Sequence, residues 1–347
     1  MSGKKSILFI LNPKSGVQSK IAFPKLIENN IDKSKFDIAI EETKFKGHAS
    51  LLANEAVAEN IDVVVAVGGD GTVNEIGSSL VGTNVALGIL PSGSGNGLAR
   101  HLGIPLVIKE AVEFINKASV VTVDYGKING APFFCTCGIG FDALVSYAFS
   151  KGKRRGLVGY VNNALQSVVN YEPERYEIET EWGCDTREAF LIAFGNAAQY
   201  GNNAYIAPQA SMRDGMLTVT VLKPFPMVEA PIILGQLFNN SLYNNEHIET
   251  KNVRWIKIRR EKHGVVHFDG EPMMMGAELF VEIVPGGLNV LASPDWDGGV
   301  SNASLLRQGF ETLRASLDAE IMEKLEKIEN FSQSHTLSNI FKRDNDD

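Results

Sequence analysis

Cysteine is scarce in this chain: three among 347 residues, Cys135, Cys137 and Cys184. An odd set cannot complete a disulfide framework, and no histidine or further cysteine stands beside the Cys-x-Cys pair to make a zinc site. Residues two apart on a strand share a face, so Cys135 and Cys137 are expected together in one core. The compartment implied is reducing, the cytoplasm. Long apolar runs are missing too. The first five residues are largely polar and Ile7–Leu11 spans only five, too short for a leader or a membrane span. Positive charge is outweighed: a net charge of −8 argues against nucleic acid as main partner and against broad adhesion to anionic membranes. There is no internal repeat. An apolar content of 44% and a charged content of 21% are those of a globular protein, and the length suits two domains.

Glycine, by contrast, is plentiful at 33 residues, and it gathers where the apolar pattern breaks. Val63-Val64-Val65-Ala66-Val67 is the unbroken run of a parallel strand covered on both faces. Gly68-Gly69-Asp70-Gly71 follows, and Thr72 with Glu75 three positions on reads as a capping box, predicting a helix from about Val73. Glycines around one aspartate leave backbone N–H groups open to a phosphate. Asp70 would repel a bare phosphate, but a carboxylate there suits a Mg²⁺-bound one or a hydroxyl awaiting deprotonation. A second unit repeats the arrangement: strand Val85–Leu90, loop Pro91-Ser92-Gly93-Ser94-Gly95-Asn96-Gly97, helix Leu98–Leu102. Two such loops lie at the carboxyl ends of neighbouring strands, where doubly wound sheets bind ligands. Neither is Gly-x-x-x-x-Gly-Lys-Ser/Thr or Gly-x-Gly-x-x-Gly, so neither a Walker-type NTPase nor a dinucleotide dehydrogenase is supported.

Strand–helix alternation makes residues 1–123 an α/β domain with a doubly wound parallel sheet. Strand Ser6–Leu11 leads through the turn Asn12-Pro13-Lys14-Ser15-Gly16 to a helix Gln18–Asn29, a strand Phe36–Glu41 and a helix His48–Asn60. After Asp124 strands dominate. Asn129-Gly130 is a hairpin signal with Phe133–Cys137 as return strand. Strands Tyr176–Trp182, Ala189–Phe194, Leu217–Leu222, Val253–Arg259, Val265–Phe268 and Leu279–Val284 make residues 124–293 β-rich, with helices near Leu157–Tyr171 and Met227–Leu237. A helical segment falls within residues 294–331, and a polar tail, 332–347, is expected to be disordered.

Gly68-Gly69-Asp70-Gly71-Thr72 with Asn74-Glu75, the Pro91–Asn96 loop, the Asn12–Gly16 turn and Asp269-Gly270-Glu271 together resemble the diacylglycerol kinase / sphingosine kinase catalytic family. The bacterial soluble lipid kinases are the branch most alike, over residues 5–293. The resemblance implies a β-sandwich for the second domain, which carries the lipid substrate, and a C-terminal segment packed back on the first. It implies an ATP- and Mg²⁺-dependent transfer of the γ-phosphoryl group to a hydroxyl of a diacylglycerol-like or sphingoid lipid. Asn12, Pro13, Lys14, Ser15, Gly16 and Thr43 would meet the nucleotide, with Gly68, Gly69, Asp70, Gly71, Thr72, Asn74, Ser92, Gly93, Ser94, Gly95 and Asn96 as its cradle. The proton acceptor would be Asp269 or Glu271, or Asp70 as in the reading made for sphingosine kinases. Asp214, with the carbonyls of Ser211 and Met216, would hold a structural Mg²⁺, and Asp142 would orient the lipid's polar head. By its residues alone Asp269-Gly270-Glu271 also reads as a hairpin turn, and Thr43 as a helix cap.

Lys151, Lys153, Arg154 and Arg155 form a basic cluster in an acidic chain, either a solvated loop or a contact with anionic lipid headgroups. The partner expected is a lipid at a membrane surface, reached by peripheral contact at the inner face; a homodimer is compatible with the sequence. Two other functions share parts of the pattern: an NAD kinase-type phosphotransferase, which also carries Gly-Gly-Asp-Gly, and a catalytically silent nucleotide-binding regulator.

Overall fold

The computed structural model describes residues 3–15, 22–151 and 171–300, without the side chains of 148–151. Gly16, the start of the first predicted helix, the 157–170 segment and the basic residues beyond Lys151 lie outside the described residues. So does a separate unit, Asn302–Asp347, with the predicted C-terminal helix and tail.

The apolar runs become β1 (Lys5–Leu11), β2 (Phe36–Glu42), β3 (Val63–Gly68) and β4 (Ala86–Pro91). Between them run α1 (Phe23–Asn30), α2 (His48–Ala58) and α3 (Asp70–Leu80); α4 (Gly97–His101) and α5 (Ile108–Ile115) follow. The four strands pair in parallel in the order β2-β1-β3-β4. Every residue of β3 and β4 is buried, the two-face covering that unbroken runs predict. The capping box is not made: α3 begins at Asp70, and Thr72 sits inside its first turn.

The rest of the described chain is mostly strand: β5 (Ser119–Ile128), β6 (Ala131–Phe133), β7 (Thr136–Gly140), β8 (Glu174–Thr180), β9 (Gly183–Ala189), β10 (Leu191–Gly195), β11 (Leu217–Leu222), β12 (Ile248–Val253), β13 (Trp255–Arg260), β14 (Gly264–Phe268), β15 (Glu271–Met275) and β16 (Glu278–Ala292). Helices α6 (Phe141–Lys151) and α7 (Ala230–Phe238) interrupt them. One antiparallel sheet has the order β12-β11-β10-β7-β14-β15. The other is continuous with the parallel sheet through β16, whose far end pairs with β4 in parallel, Asn289 opposite Ala86. The expected strand stopped at Val284, because Pro285-Gly286-Gly287 reads as a turn. In the structure it is a bulge, and a Cβ on Gly287 would stand 2.3 Å from the Tyr125 ring. Apolar residues of both antiparallel sheets, among them Ile128, Tyr176, Ile258 and Val281 against Ile139, Ile192, Val219 and Val266, close one core as a sandwich.

Asn129 and Gly130 turn the β5–β6 hairpin with φ of 46° and 85°, the two left-handed residues of a type I′ turn. The return strand is not one strand. It breaks at Phe134–Cys135, so Cys135 enters the core under the parallel sheet and Cys137 the sandwich core. The shared face expected of the two cysteines is thereby corrected; both are buried and Cys184 is exposed.

Candidate active site

The two glycine loops touch backbone to backbone. A Cβ on Gly69 would lie 3.0 Å from the Gly93 Cα, one on Gly93 2.4 Å from the Gly69 Cα, and the Ser92 amide donates to the Gly68 carbonyl over 2.8 Å. The bare side of Gly69 therefore faces the other loop, and only part of the glycine content is left to open N–H groups. Asp70 fastens the pair, its carboxylate accepting from the Asn96 amide at 2.9 Å and the Gly97 amide at 2.7 Å. Burial pushes its carboxyl up to about 6, against the pull of those two amides. Asn96, at φ 53°, closes its own loop by accepting from the Gly93 amide and donating to the Gly93 carbonyl. The Ser92 hydroxyl is enclosed there without a hydrogen-bond partner among the described residues, while Ser94 is exposed and Gly95 half-buried.

The end of β1 supplies the third wall. Asn12 donates from Nδ2 to the Thr72 hydroxyl over 2.9 Å and accepts the Lys14 amide on Oδ1. Ser15 donates to the Asn12 carbonyl, Pro13 and Lys14 are exposed, and the half-buried Thr43 donates its amide to the Leu11 carbonyl over 2.8 Å. A Cβ on Gly68 would collide with Thr72, 2.5 Å from its hydroxyl.

Asp269-Gly270 is a hairpin turn, with φ of 48° and 83°, between β14 and β15. Its aspartate is buried and surrounded by donors. Oδ2 accepts from Asn74 Nδ2 (2.8 Å) and the Phe134 amide (2.9 Å), and Oδ1 from the amides of Cys135 (2.7 Å) and Thr136 (3.2 Å). Burial raises its carboxyl above the usual carboxylate range although all four donors oppose this. The broken return strand thus presents its amides to Asp269, and Asn74 ties the hairpin to α3. Glu271, the first residue of β15, has a side chain 57% exposed; its Oε1 lies 3.4 Å from where a Gly71 Cβ would stand, and Lys46 Nζ is 4.0 Å from Oε2. Of the three carboxylates proposed as base, only Glu271 faces outward, and it does so over the first glycine loop.

Asp142, in the first turn of α6, is turned into the interior at 4% exposure. Tyr200 donates its hydroxyl to Asp142 Oδ2 over 2.8 Å, and His267 Nε2 lies 2.9 Å from the same oxygen. In the 211–216 turn Asp214 Oδ1 accepts the Met216 amide at 3.0 Å, and the Ser211 hydroxyl accepts the Arg213 amide. Behind it the buried Asp124 accepts the amides of Gly215 and Gly286, both at 2.7 Å. Burial first, and then the Asp124 charge, raise the Asp214 carboxyl, with the Met216 amide opposing. Sequence pattern did not single out Asp124, Lys46, Tyr200 or His267, because their partners come from distant stretches.

A parallel sheet ending in two locked glycine loops, joined to a sandwich that holds a carboxylate over them, defines a phosphotransferase fold of the lipid kinase type. The family model for the diacylglycerol kinase catalytic domain matches residues 6–128, and that for the YegS C-terminal NAD kinase beta sandwich-like domain matches residues 135–292. The chain belongs to the diacylglycerol kinase family, among its YegS-like lipid kinases. The probable lipid kinase YegS-like protein of Klebsiella pneumoniae (strain 342) is 30% identical over 302 residues, covering 85% of this chain and 98% of the relative. The probable lipid kinase YegS of Salmonella arizonae is 28% identical over 297 residues, 83% and 96% of the two chains. A diacylglycerol kinase crystal structure from Bacillus anthracis str. Sterne superposes at TM-score 0.65 with 25% identity, covering 85% of this chain and 99% of that one.

Proposed function

We propose that this chain is an ATP- and Mg²⁺-dependent kinase that phosphorylates a hydroxyl of a diacylglycerol-like or sphingoid lipid. The observation that carries the reading is the sorting of carboxylates: Asp70 and Asp269 are buried on backbone amides, while Glu271 stands outward over the Gly68–Thr72 turn.

The cradle suits a nucleotide. Its loops leave N–H groups bare at the start of α3, an 11-residue helix whose N-terminus favours anions, and the enclosed Ser92 hydroxyl lacks a partner among the described residues. Bound ATP supplies the phosphoryl group, and Mg²⁺ neutralises phosphate charge. The N–H groups of Gly69 to Thr72, with those of Ser94 and Gly95 in the second loop, bind phosphate oxygens, while the Ser92, Gly93 and Asn96 amides hold the loops together; Asn12, Thr43 and the 12–15 turn shape the remaining wall. Glu271 would take the proton of the acceptor hydroxyl as that oxygen bonds to the γ-phosphorus and the bond from phosphorus to the bridging oxygen breaks, ADP leaving. Lys46, itself exposed, lies 4.0 Å from the Glu271 carboxylate and adds positive charge beside it. Asp70 fixes the two loops together, and Asp269 fixes the hairpin. In the 211–216 turn two neighbouring carboxylates, Asp214 and Asp124, make a setting that a cation would relieve; Asp214 with the Ser211 and Met216 carbonyls would hold a structural Mg²⁺.

The acceptor resides in a leaflet, so we place the enzyme peripherally at the inner face of the cytoplasmic membrane. No described helix is long and apolar enough to cross a bilayer. The test incubates the purified chain with labelled ATP, Mg²⁺ and a panel of lipids, beside Glu271→Gln. A labelled phospholipid from the parent and a deeply reduced yield from the variant are expected. Absence of any labelled lipid from the parent would overturn the reading.

A further inference from the structure

Asp142, Tyr200 and His267 come from three separate stretches and meet in a buried polar cluster to which the mechanism above gives no task. Both ring nitrogens of His267 are enclosed, and neither makes a directed hydrogen bond among the described residues, although Nε2 lies 2.9 Å from Asp142 Oδ2. The separation is short, yet the contact does not meet hydrogen-bond geometry. A buried polar group held so loosely costs stability, so packing alone would favour an apolar side chain here. The site is nonetheless fitted to it. A Cβ on Gly138 would stand 1.9 Å from Asp142 Oδ2 and 2.8 Å from His267 Nε2, so β7 is bared beneath the pair.

The two ends of the cluster reach the two halves of the catalytic site. The Tyr200 carbonyl lies on the second glycine loop, 3.2 Å from where a Gly97 Cβ would be, and Asn202 donates its amide to the Gly95 carbonyl over 3.2 Å. His267 precedes Glu271 by four residues on the same hairpin, pairing with Pro272 across it. From α6, one turn beyond Asp142, Ser146 donates to the Gly270 carbonyl at the tip of that hairpin over 2.7 Å.

We propose that Tyr200, Asp142 and His267 are positioning residues: a buried link that fixes the hairpin bearing Glu271 against the second glycine loop, so that base and phosphate cradle keep one spacing. Asp142 then acts through the hairpin, with its carboxylate facing inward, and not by touching the lipid. The inference rests on the lipid kinase reading above, and its test separates the two.

Tyr200→Phe keeps the ring that stands edge-on to His267 at 5.8 Å and removes only the hydroxyl. Lipid phosphorylation should fall about tenfold or more in kcat, the loss expected from a small misplacement of a reacting group, with KM for ATP close to the parent's and a melting temperature lowered only by the loss of one donor to Asp142. Asp142→Asn, which retains an acceptor for Tyr200, should lose less. In a Glu271→Gln background Tyr200→Phe should cost nothing further, because the link works through Glu271. Amide exchange of residues 271–275 should quicken in Tyr200→Phe. Parent-like kcat with unchanged exchange, or an equal loss in the Glu271→Gln background, overturns the link. If the parent phosphorylates no lipid, the kinase reading fails, and the exchange comparison still decides whether Tyr200 holds the hairpin.

Discussion

Asp269 and Glu271 are two residues apart on one turn, and the structure assigns them opposite behaviour on neutralisation. Asp269→Asn preserves volume but replaces one acceptor oxygen by an NH₂ group. Whichever way the amide turns, two of the four donors around Asp269, those of Asn74, Phe134, Cys135 and Thr136, then face another donor. Hydrogen bonds to a charged group contribute about 1.5–3 kcal/mol each, so losing two costs about 3–6 kcal/mol. Burial of the carboxylate is itself unfavourable, as its raised pKa shows, and the amide escapes that cost. A net destabilisation of about 3 kcal/mol follows, which at about 2.1 cal/mol/K of unfolding entropy per residue lowers the melting temperature of this chain by roughly 4 °C. Glu271→Gln alters an exposed side chain and should leave the melting temperature at the parent's value. Its turnover should fall by roughly 10²-fold or more through loss of the base, with ATP affinity retained. Calorimetry for stability and ATP binding, with labelled-phosphate transfer for turnover, reads both variants. An Asp269→Asn protein as stable as the parent but inactive, beside an active Glu271→Gln protein, would reverse the two roles and refute the reasoning.

Three other outcomes are expected. Gly93→Ala drives a methyl into the Gly69 backbone 2.4 Å away, so it should part the glycine loops, destabilise by about 1–3 kcal/mol and weaken ATP binding by calorimetry; parent-like affinity would show that the contact does not shape the cradle. Asp70, raised to about 6 from 3.8, stabilises the fold fully below pH 3.8 and loses that contribution as pH rises through 6; denaturation at pH 4 and pH 7 should therefore show the parent gaining about 2 kcal/mol relative to Asp70→Asn at the lower pH. Mg²⁺ should raise the melting temperature of the parent and a chelator lower it, both effects shrinking in Asp214→Asn; equal responses would remove the cation from the 211–216 turn.

Much of the fold was legible because its signals are local. An unbroken apolar run is a strand buried on both faces, and β3 and β4 are buried throughout; Leu217–Leu222 was bounded residue for residue. Elements that escaped reading lack such a signal. Nearly all of β9 is exposed, without apolar alternation, and β15 carries Pro272, which pattern rules count against a strand but an edge position tolerates. The far half of β16 was hidden by Pro285-Gly286-Gly287, where a turn and a bulge have the same composition.

The glycine loops were legible in part: their place between strand and helix follows from residue type, but that Gly69 and Gly93 bare their backbones to one another does not. The duties of the carboxylates were not legible. Asp70, Asp269 and Glu271 adjoin a glycine and Asp142 lies two residues from one, each close to a strand end, and in sequence each could be a base. What separates them is how many donors each one meets, and those donors are far along the chain. Asn74 is 195 residues from Asp269, Thr136 is 133, and Tyr200 is 58 from Asp142. An aspartate ringed by amides and one open to solvent have the same side chain and the same neighbours in sequence; only the closing of the two sheets decides which proton acceptor stays outward. That closing leaves Glu271 outward and engages the other three, which is the difference that the proposed base role rests on.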